Sequence, residues 1–356
     1  MIKFLIKEVK IVSDESYVKL REFINKNSIG FPETSSGVGL KILKRLFSAE
    51  DADIILKLKP SRKRETADQI ANRTGLDKNV VEKELESLSK KGLLFRIRRG
   101  NITIYNLAPF MIGLYEYSVQ KIDEDLAQLY REYFDTKYIF ELGKFNVPGF
   151  KVIPIEETIE TDTVLLPYQE LKKSIKDARI ISVAECICRK ETRLIQSNCN
   201  KEYPMENCLS FGAAAEYYIE NGIGREITAD EAIKIIDEAD EAGLVHAGAN
   251  KIHLSNICNC CPCCCGLMRG ITQFGLDKHK FMNAIFESIV DKDLCIACNA
   301  CVDRCPVDAI SMEENFAVVD RNKCLGCGLC HRTCPEEAII LQLREDRMEP
   351  FASFEI

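Results

Sequence analysis

No tryptophan occurs in this chain, and no cysteine occurs before Cys186. Every apolar stretch falls far short of the roughly 20 residues that cross a bilayer, so no membrane span is expected. The N-terminal run Met-Ile-Lys-Phe-Leu-Ile-Lys is broken by Lys3 and Lys7 too early for a secretory h-region, and a cytoplasmic location is expected. Positive charge is not in excess. The 48 Lys and Arg against 55 Asp and Glu give −7, which excludes a uniformly basic nucleic-acid binder. No Ser/His/Asp or Cys/His nucleophilic arrangement stands out. With 46% hydrophobic and 29% charged residues there is no compositional case for disorder. At 356 residues, two or three domains are expected.

What the chain has is cysteine: 18 of them, all in the second half. They form three groups, Cys186 to Cys208, Cys258 to Cys265 and Cys295 to Cys334. A disulfide scaffold belongs to small secreted chains in an oxidising compartment. In a reducing compartment, thiols at short regular spacing read as metal ligands.

The last group is a repeat. Cys295-x2-Cys298-x2-Cys301-x3-Cys305-Pro306 is followed by Cys324-x2-Cys327-x2-Cys330-x3-Cys334-Pro335. Three thiolates on one tight loop can wrap three corners of an iron–sulfur cube, and Ala297, Gly326 and Gly328 let the backbone come close. Paired zinc sites are the alternative, but zinc usually joins one C-x2-C to a second pair further along. Val307-Asp308-Ala309-Ile310 and Glu336-Glu337-Ala338-Ile339 follow the two Cys-Pro steps, and Phe316–Asp320 reads as a strand between the repeats. Residues 290–343 thus resemble the two-[4Fe–4S] bacterial ferredoxin family. The fourth cysteine of such a run ligates the other cluster. Cys295, Cys298, Cys301 and Cys334 are therefore assigned to one [4Fe–4S] cluster, and Cys324, Cys327, Cys330 and Cys305 to the second. The resemblance implies low potentials and rapid one-electron transfer between them.

The other ten cysteines form a less familiar central region: Cys186, Cys188, Cys199, Cys208, Cys258, Cys260, Cys261, Cys263, Cys264 and Cys265. The first four alone would suffice for one site. Arg179–Val183 reads as a buried strand that delivers Cys186 and Cys188 on one face. Neighbouring cysteines in 258–265 point apart, so alternate thiols are expected to serve different sites or stay free. A third [4Fe–4S] cluster, structural zinc and an unusual multi-iron centre are the three readings of this region. Cys264-Cys265-Gly266 resembles the paired-cysteine motif of heterodisulfide reductase catalytic subunits, but the C-x2-C that this family needs downstream is already part of the ferredoxin run. His246 and His253 flank the region as candidate ligands, and Arg189 could offset thiolate charge or sit in solvent. Phe211–Asn221 reads as a helix ended by Gly222, and Thr228 with Glu231 caps a second helix reaching about Ala242; the pair is expected to act as a spacer.

Nearer the N-terminus, Gly39–Phe47 and Asp53–Leu58 carry helical patterns. A helix from Thr66, a turn at Gly75 and a helix over 78–90 follow. Leu93–Ile97 and Ile102–Tyr105 flank Arg98-Arg-Gly-Asn101, a hairpin signal. Residues 37–107 resemble the winged-helix family. Residues 40–110 hold 16 basic and 9 acidic residues, whereas residues 291–356 hold 7 basic and 13 acidic. The basic excess gathers at Arg62-Lys63-Arg64 and at Arg96, Arg98 and Arg99. The recognition-helix position, 77–91, carries four residues of each sign, so contact with protein is favoured over contact with DNA. Residues 111–182 read as long amphipathic helices followed by extended pieces broken at Pro148-Gly149, Pro154 and Pro167.

The expected fold class is α+β and multidomain. It comprises an N-terminal extension (1–36), a winged helix (37–110), a helical linker (111–180), a central cysteine-rich α/β or α+β domain (181–289), a ferredoxin-like two-cluster domain (290–345) and a tail (346–356). Whole, this order resembles the multidomain ferredoxin-type iron–sulfur proteins of anaerobic microbes. The expected function is that of an oxygen-sensitive electron carrier serving a redox protein partner or a larger oxidoreductase complex, with no catalytic residue assigned. The alternatives are an oxidoreductase with a substrate-binding central cluster and a redox-sensing DNA-binding regulator.

Overall fold

The computed structural model describes residues 14–26, 30–60, 63–155, 171–197, 199 and 201–351. The stretch around Lys3 and Lys7, Arg62, Pro167 and the last five residues of the tail lie outside them. The chain divides into two compact units, with the boundary after Leu114.

In the first unit, helices α1 (Asp14–Ile24), α2 (Val38–Leu46), α3 (Ala49–Ile55), α4 (Ala67–Thr74) and α5 (Lys78–Lys90) precede an antiparallel hairpin of β1 (Leu94–Arg99) and β2 (Ile102–Leu107). The local signals explain these limits. Thr66 accepts from the Gln69 N–H while Gln69 returns the bond, and Asp77 accepts from the Asn79 and Val80 N–H groups. Gly75 ends α4 at φ +71°, and Gly100 opens the two-residue hairpin turn at φ +57°. The helix expected over 53–58 lies at Ala49–Ile55, because the Ser48–Asp51 capping box starts it earlier. Residues 14–24, expected to be part of an extension, contribute α1 to the core, and the Tyr17 hydroxyl donates to the Phe47 carbonyl at 3.0 Å. Two of the three wing arginines are engaged by a carboxylate. Arg96 and Arg98 both pair with Glu86 of α5, at 2.7 and 3.1 Å.

The second unit is built on a seven-stranded sheet. Short helices α6 (Tyr115–Tyr117), α7 (Glu124–Tyr133) and α8 (Ile139–Leu142) come first. A π-helical turn, Phe134–Tyr138, joins the last two. The long helices expected here are thus one interrupted helix and a three-residue fragment. Its aromatic face gathers Tyr115, Tyr130, Phe134 and Tyr138 into edge-on contacts. Then come β3 (Phe150–Val152), α9 (Leu171–Lys176), β4 (Ile181–Glu185), α10 (Ile187–Leu194), β5 (Glu206–Phe211), α11 (Ala213–Glu220), β6 (Arg225–Ile227), α12 (Ala229–Glu241), β7 (Val245–Ala249), β8 (Asn256–Cys260), α13 (Gly266–Thr272) and β9 (Met282–Asn283). Strand order is β6-β4-β5-β8-β7-β3-β9, antiparallel except for the β3–β9 pair.

Alternation along these strands separates two faces. Ile181, Val183, Leu209, Phe211 and Ile257 pack with Leu171 and Ile175 of α9 and Ile236 of α12. Cys208, Cys258 and Cys260 occupy the opposite face, set by the pairing of Cys208 with Cys258. The stretch expected as a helical spacer therefore lies between two strands that carry cysteines. Thr228 does cap α12, accepting from the Glu231 N–H at 3.2 Å.

Lys151 of β3 is buried, with Nζ donating to the Lys251 carbonyl at 2.7 Å. Burial lowers its pKa to about 8. An unfolded lysine holds its proton to about pH 10.4, so between these values the unfolded chain binds the extra proton and stability rises with pH. Lys151→Met removes that gain. Wild type is expected to gain up to about 3 kcal/mol on the variant from pH 8 to 10, read as diverging melting temperatures. Parallel curves would contradict the assignment.

At the C-terminal end, β10 (Phe286–Val290) pairs with β13 (Ile339–Leu343), and β11 (Ile310–Glu313) with β12 (Phe316–Val319). Two short helices, α14 (Ala300–Arg304) and α15 (Leu329–Thr333), lie between them in sequence. No helix among the described residues is long and apolar enough to cross a membrane.

Candidate metal centres

The two terminal repeats have matching backbones. Ala297 and Gly326 adopt φ +56° and +64°, Asn299 and Gly328 +63° and +80°, and Asp308 and Glu337 +49° and +50°. Each left-handed pair curls its loop and turns amide groups toward the sulfurs. The Ala309 N–H reaches Cys305 Sγ at 3.2 Å and the Ala338 N–H reaches Cys334 Sγ at 3.3 Å, while Ala317 and Gly326 do the same for Cys295 and Cys324 at 3.4 Å. Cys295, Cys298, Cys301 and Cys334 line one pocket. Cys305, Cys324, Cys327 and Cys330 line a second. The fold thus brings the eight thiols together in two crossed sets. Burial raises the pKa of Cys301, Cys305 and Cys327, and pushes Cys330 up to about 12. Soft donors, N–H groups aimed at sulfur and permissive glycines all fit iron–sulfur ligation.

The central cysteines sort themselves differently from the sequence reading. β4 stops at Glu185, and Cys186 is the N-cap of α10, so Cys186 and Cys188 come from a helix start rather than a strand. Nor do the first four cysteines stand together. Cys199 joins Cys261, Cys263 and Cys264, with all four sulfurs within 4.8 Å of one another. Its Sγ lies 3.2 Å from that of Cys263. Cys186, Cys188 and Cys208 instead make thiol contacts with the group containing Cys258, Cys260 and Cys265. The chain direction explains the division. Cys260 and Cys261 are neighbours at the end of β8, and Cys264 and Cys265 at the start of α13, so each pair sends one thiol to each group. Hydrogen bonds from Cys263 and Cys264 lower the pKa of Cys261 to about 2, and those from Cys188 and Cys260 lower Cys265 to about 5. Cys258, Cys261 and Cys265 are thus held toward the thiolate, the form that binds metal, while their neighbours Cys186, Cys188, Cys208, Cys260, Cys263 and Cys264 are pushed up.

Arg189 stands between the groups, 1% exposed. It donates to the Pro204 and Asn259 carbonyls and lies against Cys186, Cys260 and Cys261, whose negative charge raises its pKa against the effect of burial. Behind Cys188, Glu191 accepts from the Tyr115 hydroxyl at 2.5 Å and pairs with Arg131 at 2.7 Å. Nothing in the sequence pointed to Tyr115, Arg131 or Glu191, because their partners are 60 or more residues away.

The histidines take no part in either thiol group. His253 is exposed. His246 is buried, with Nδ1 2.6 Å from Asn259 Oδ1 and Nε2 3.8 Å from Asp240. Asp240 also meets the terminal domain, pairing with Arg332 of α15 at 2.9 Å. Arg304 of α14 donates to the Asp240 and Glu241 carbonyls at 2.6 and 2.8 Å, beneath Gly243. The end of α12 contacts the terminal domain in this way, while Ala239, Ala242 and Leu244 pack against the compact four-thiol group.

Residues 288–341 match the model of a family described as a 4Fe-4S dicluster domain. No curated protein and no solved structure matches the chain. The chain carries a 4Fe-4S dicluster domain near its C-terminus.

Proposed function

We propose that this protein transfers single electrons to or from a redox protein partner or a larger oxidoreductase complex. Cys295, Cys298, Cys301 and Cys334 hold one [4Fe–4S] cluster, and Cys324, Cys327, Cys330 and Cys305 hold the other. The observation that carries the reading is the pair of crossed four-thiol sets, each lining its own cavity. Each cluster, when bound, supplies a one-electron couple. The chain's part is to fix the thiols, donate amide hydrogens to sulfur and bury Cys301, Cys324 and Cys330.

A third centre belongs at Cys199, Cys261, Cys263 and Cys264. Thiolates at about 2.3 Å from one tetrahedral ion lie about 3.8 Å apart, so sulfurs all within 4.8 Å of one another favour a single ion over a cube. The first unit is read as a winged helix that contacts protein. Pairing of Arg96 and Arg98 with Glu86 weakens the DNA-binding alternative, since one carboxylate already engages both guanidiniums.

Anaerobic redox titration followed by electron paramagnetic resonance tests the proposal. Full reduction is expected to give about two interacting spins per chain from the terminal clusters. Absence of any reducible centre would overturn it.

A further inference from the structure

The central thiols outside the compact group form an open arc. Neighbouring thiols interact in sequence along it: Cys186 with Cys188, Cys188 with Cys265, Cys265 with Cys260, Cys260 with Cys258, and Cys258 with Cys208. Among the described residues, Cys199, Cys261, Cys263 and Cys264 are the only metal-binding side chains, three or more together, whose donor atoms all lie within 4.8 Å of one another. The arc is more open than that, too open for one ion.

Rigid elements hold it. Cys208 and Cys258 face each other across the central strands β5 and β8, and Cys260 lies two residues along the same face. Cys186 and Cys265 are the N-caps of α10 and α13. The Asn256 amide lies 3.7 Å from Cys258 Sγ.

Buried free cysteines often serve merely as small apolar residues. Arg189 argues against that here. Among the described residues no carboxylate pairs with it, and a buried cation without a counter-charge is strongly destabilising. It lies beside Cys186, Cys260 and, in the compact group, Cys261, and thiolates bound to metal there would supply the missing negative charge. Six thiols drawn from four rigid elements exceed the four donors that one zinc ion or one [4Fe–4S] cube takes, so no single ordinary centre uses them all.

We propose that Cys186, Cys188, Cys208, Cys258, Cys260 and Cys265 together hold one polynuclear iron–sulfur centre, separate from the compact four-thiol group and from the terminal clusters. This goes beyond the electron-transfer reading and does not depend on it, because the test counts metal and thiol protection rather than reduction.

The test uses the full chain purified without oxygen. Wild type is expected to hold at least about twelve irons, four or more beyond the two terminal cubes. Cys208→Ser and Cys258→Ser should each lose the same several irons and keep the terminal eight, whereas Cys263→Ser should lose about one metal ion at most. Because serine on a central strand risks misfolding, wild type is also alkylated natively and mapped by mass spectrometry. All six thiols should be protected in the metal-loaded protein and reactive after chelation. A total of about nine irons or fewer, zinc at these positions, or alkylation of any of the six in the loaded protein would overturn the proposal.

Discussion

Replacing Gly326 by alanine is expected to remove about four irons per chain, the content of one cube, while leaving the other terminal set loaded. Gly326 has φ +64°, which costs an L-residue about 1–2 kcal/mol. That strain is the smaller effect. A Cβ there would sit 2.1 Å from the Phe286 carbonyl oxygen and 2.4 Å from its carbon. Those are backbone atoms of β10, fixed by pairing with β13, so neither side can give way cheaply. The loop carrying Cys324 and Cys327 would have to lift away from its fourth thiol. Gly100→Ala is the control, with the same sign of φ and nothing within 4 Å of its Cβ. It is expected to cost about 1 kcal/mol and no iron. Iron and sulfide analysis of both variants checks the pair, and a fully loaded Gly326→Ala protein would contradict the account.

The second large effect is at Arg189. Arg189→Leu leaves the buried Asn259 carbonyl and the carbonyl of the exposed Pro204 without the donor that reaches both, and leaves two groups of thiols without their shared cation. Breaking such a buried network costs about 3–5 kcal/mol. The central metal is expected to fall to less than about half, with the terminal spectrum retained, because the two regions bind through separate side chains. Arg189→Lys should rescue little, since an ammonium cannot present the guanidinium fork to both carbonyls. Full central metal in Arg189→Leu would show that the cation is dispensable.

These two sites differ in how far the sequence disclosed them. The terminal grouping was legible because each loop supplies three thiols within seven residues, and the repeat displays its own symmetry. The grouping of the central ten was not, because it depends on strand register. Only the pairing of Cys208 with Cys258 brings thiols 50 residues apart onto one face, and only the turn after β8 sends Cys260 and Cys261 to different groups. Cys186 and Cys188 were misplaced because the apolar run before them continues a strand pattern up to the residue that caps α10. In the first unit, caps and turns at Thr66, Gly75, Asp77 and Gly100 marked the elements locally. The partner of Arg96 and Arg98 was hidden, because Glu86 meets them only once α5 lies against the hairpin.

Mössbauer spectroscopy of iron-57-labelled full-length protein, prepared without oxygen and combined with acid-labile sulfide analysis, bears most directly on the eight terminal thiols. The expected result is about eight irons per chain in cubane form assignable to the terminal sets, with at least as much acid-labile sulfide. Zinc, or sulfur–sulfur bonds, at Cys295 through Cys334 in such material would contradict it.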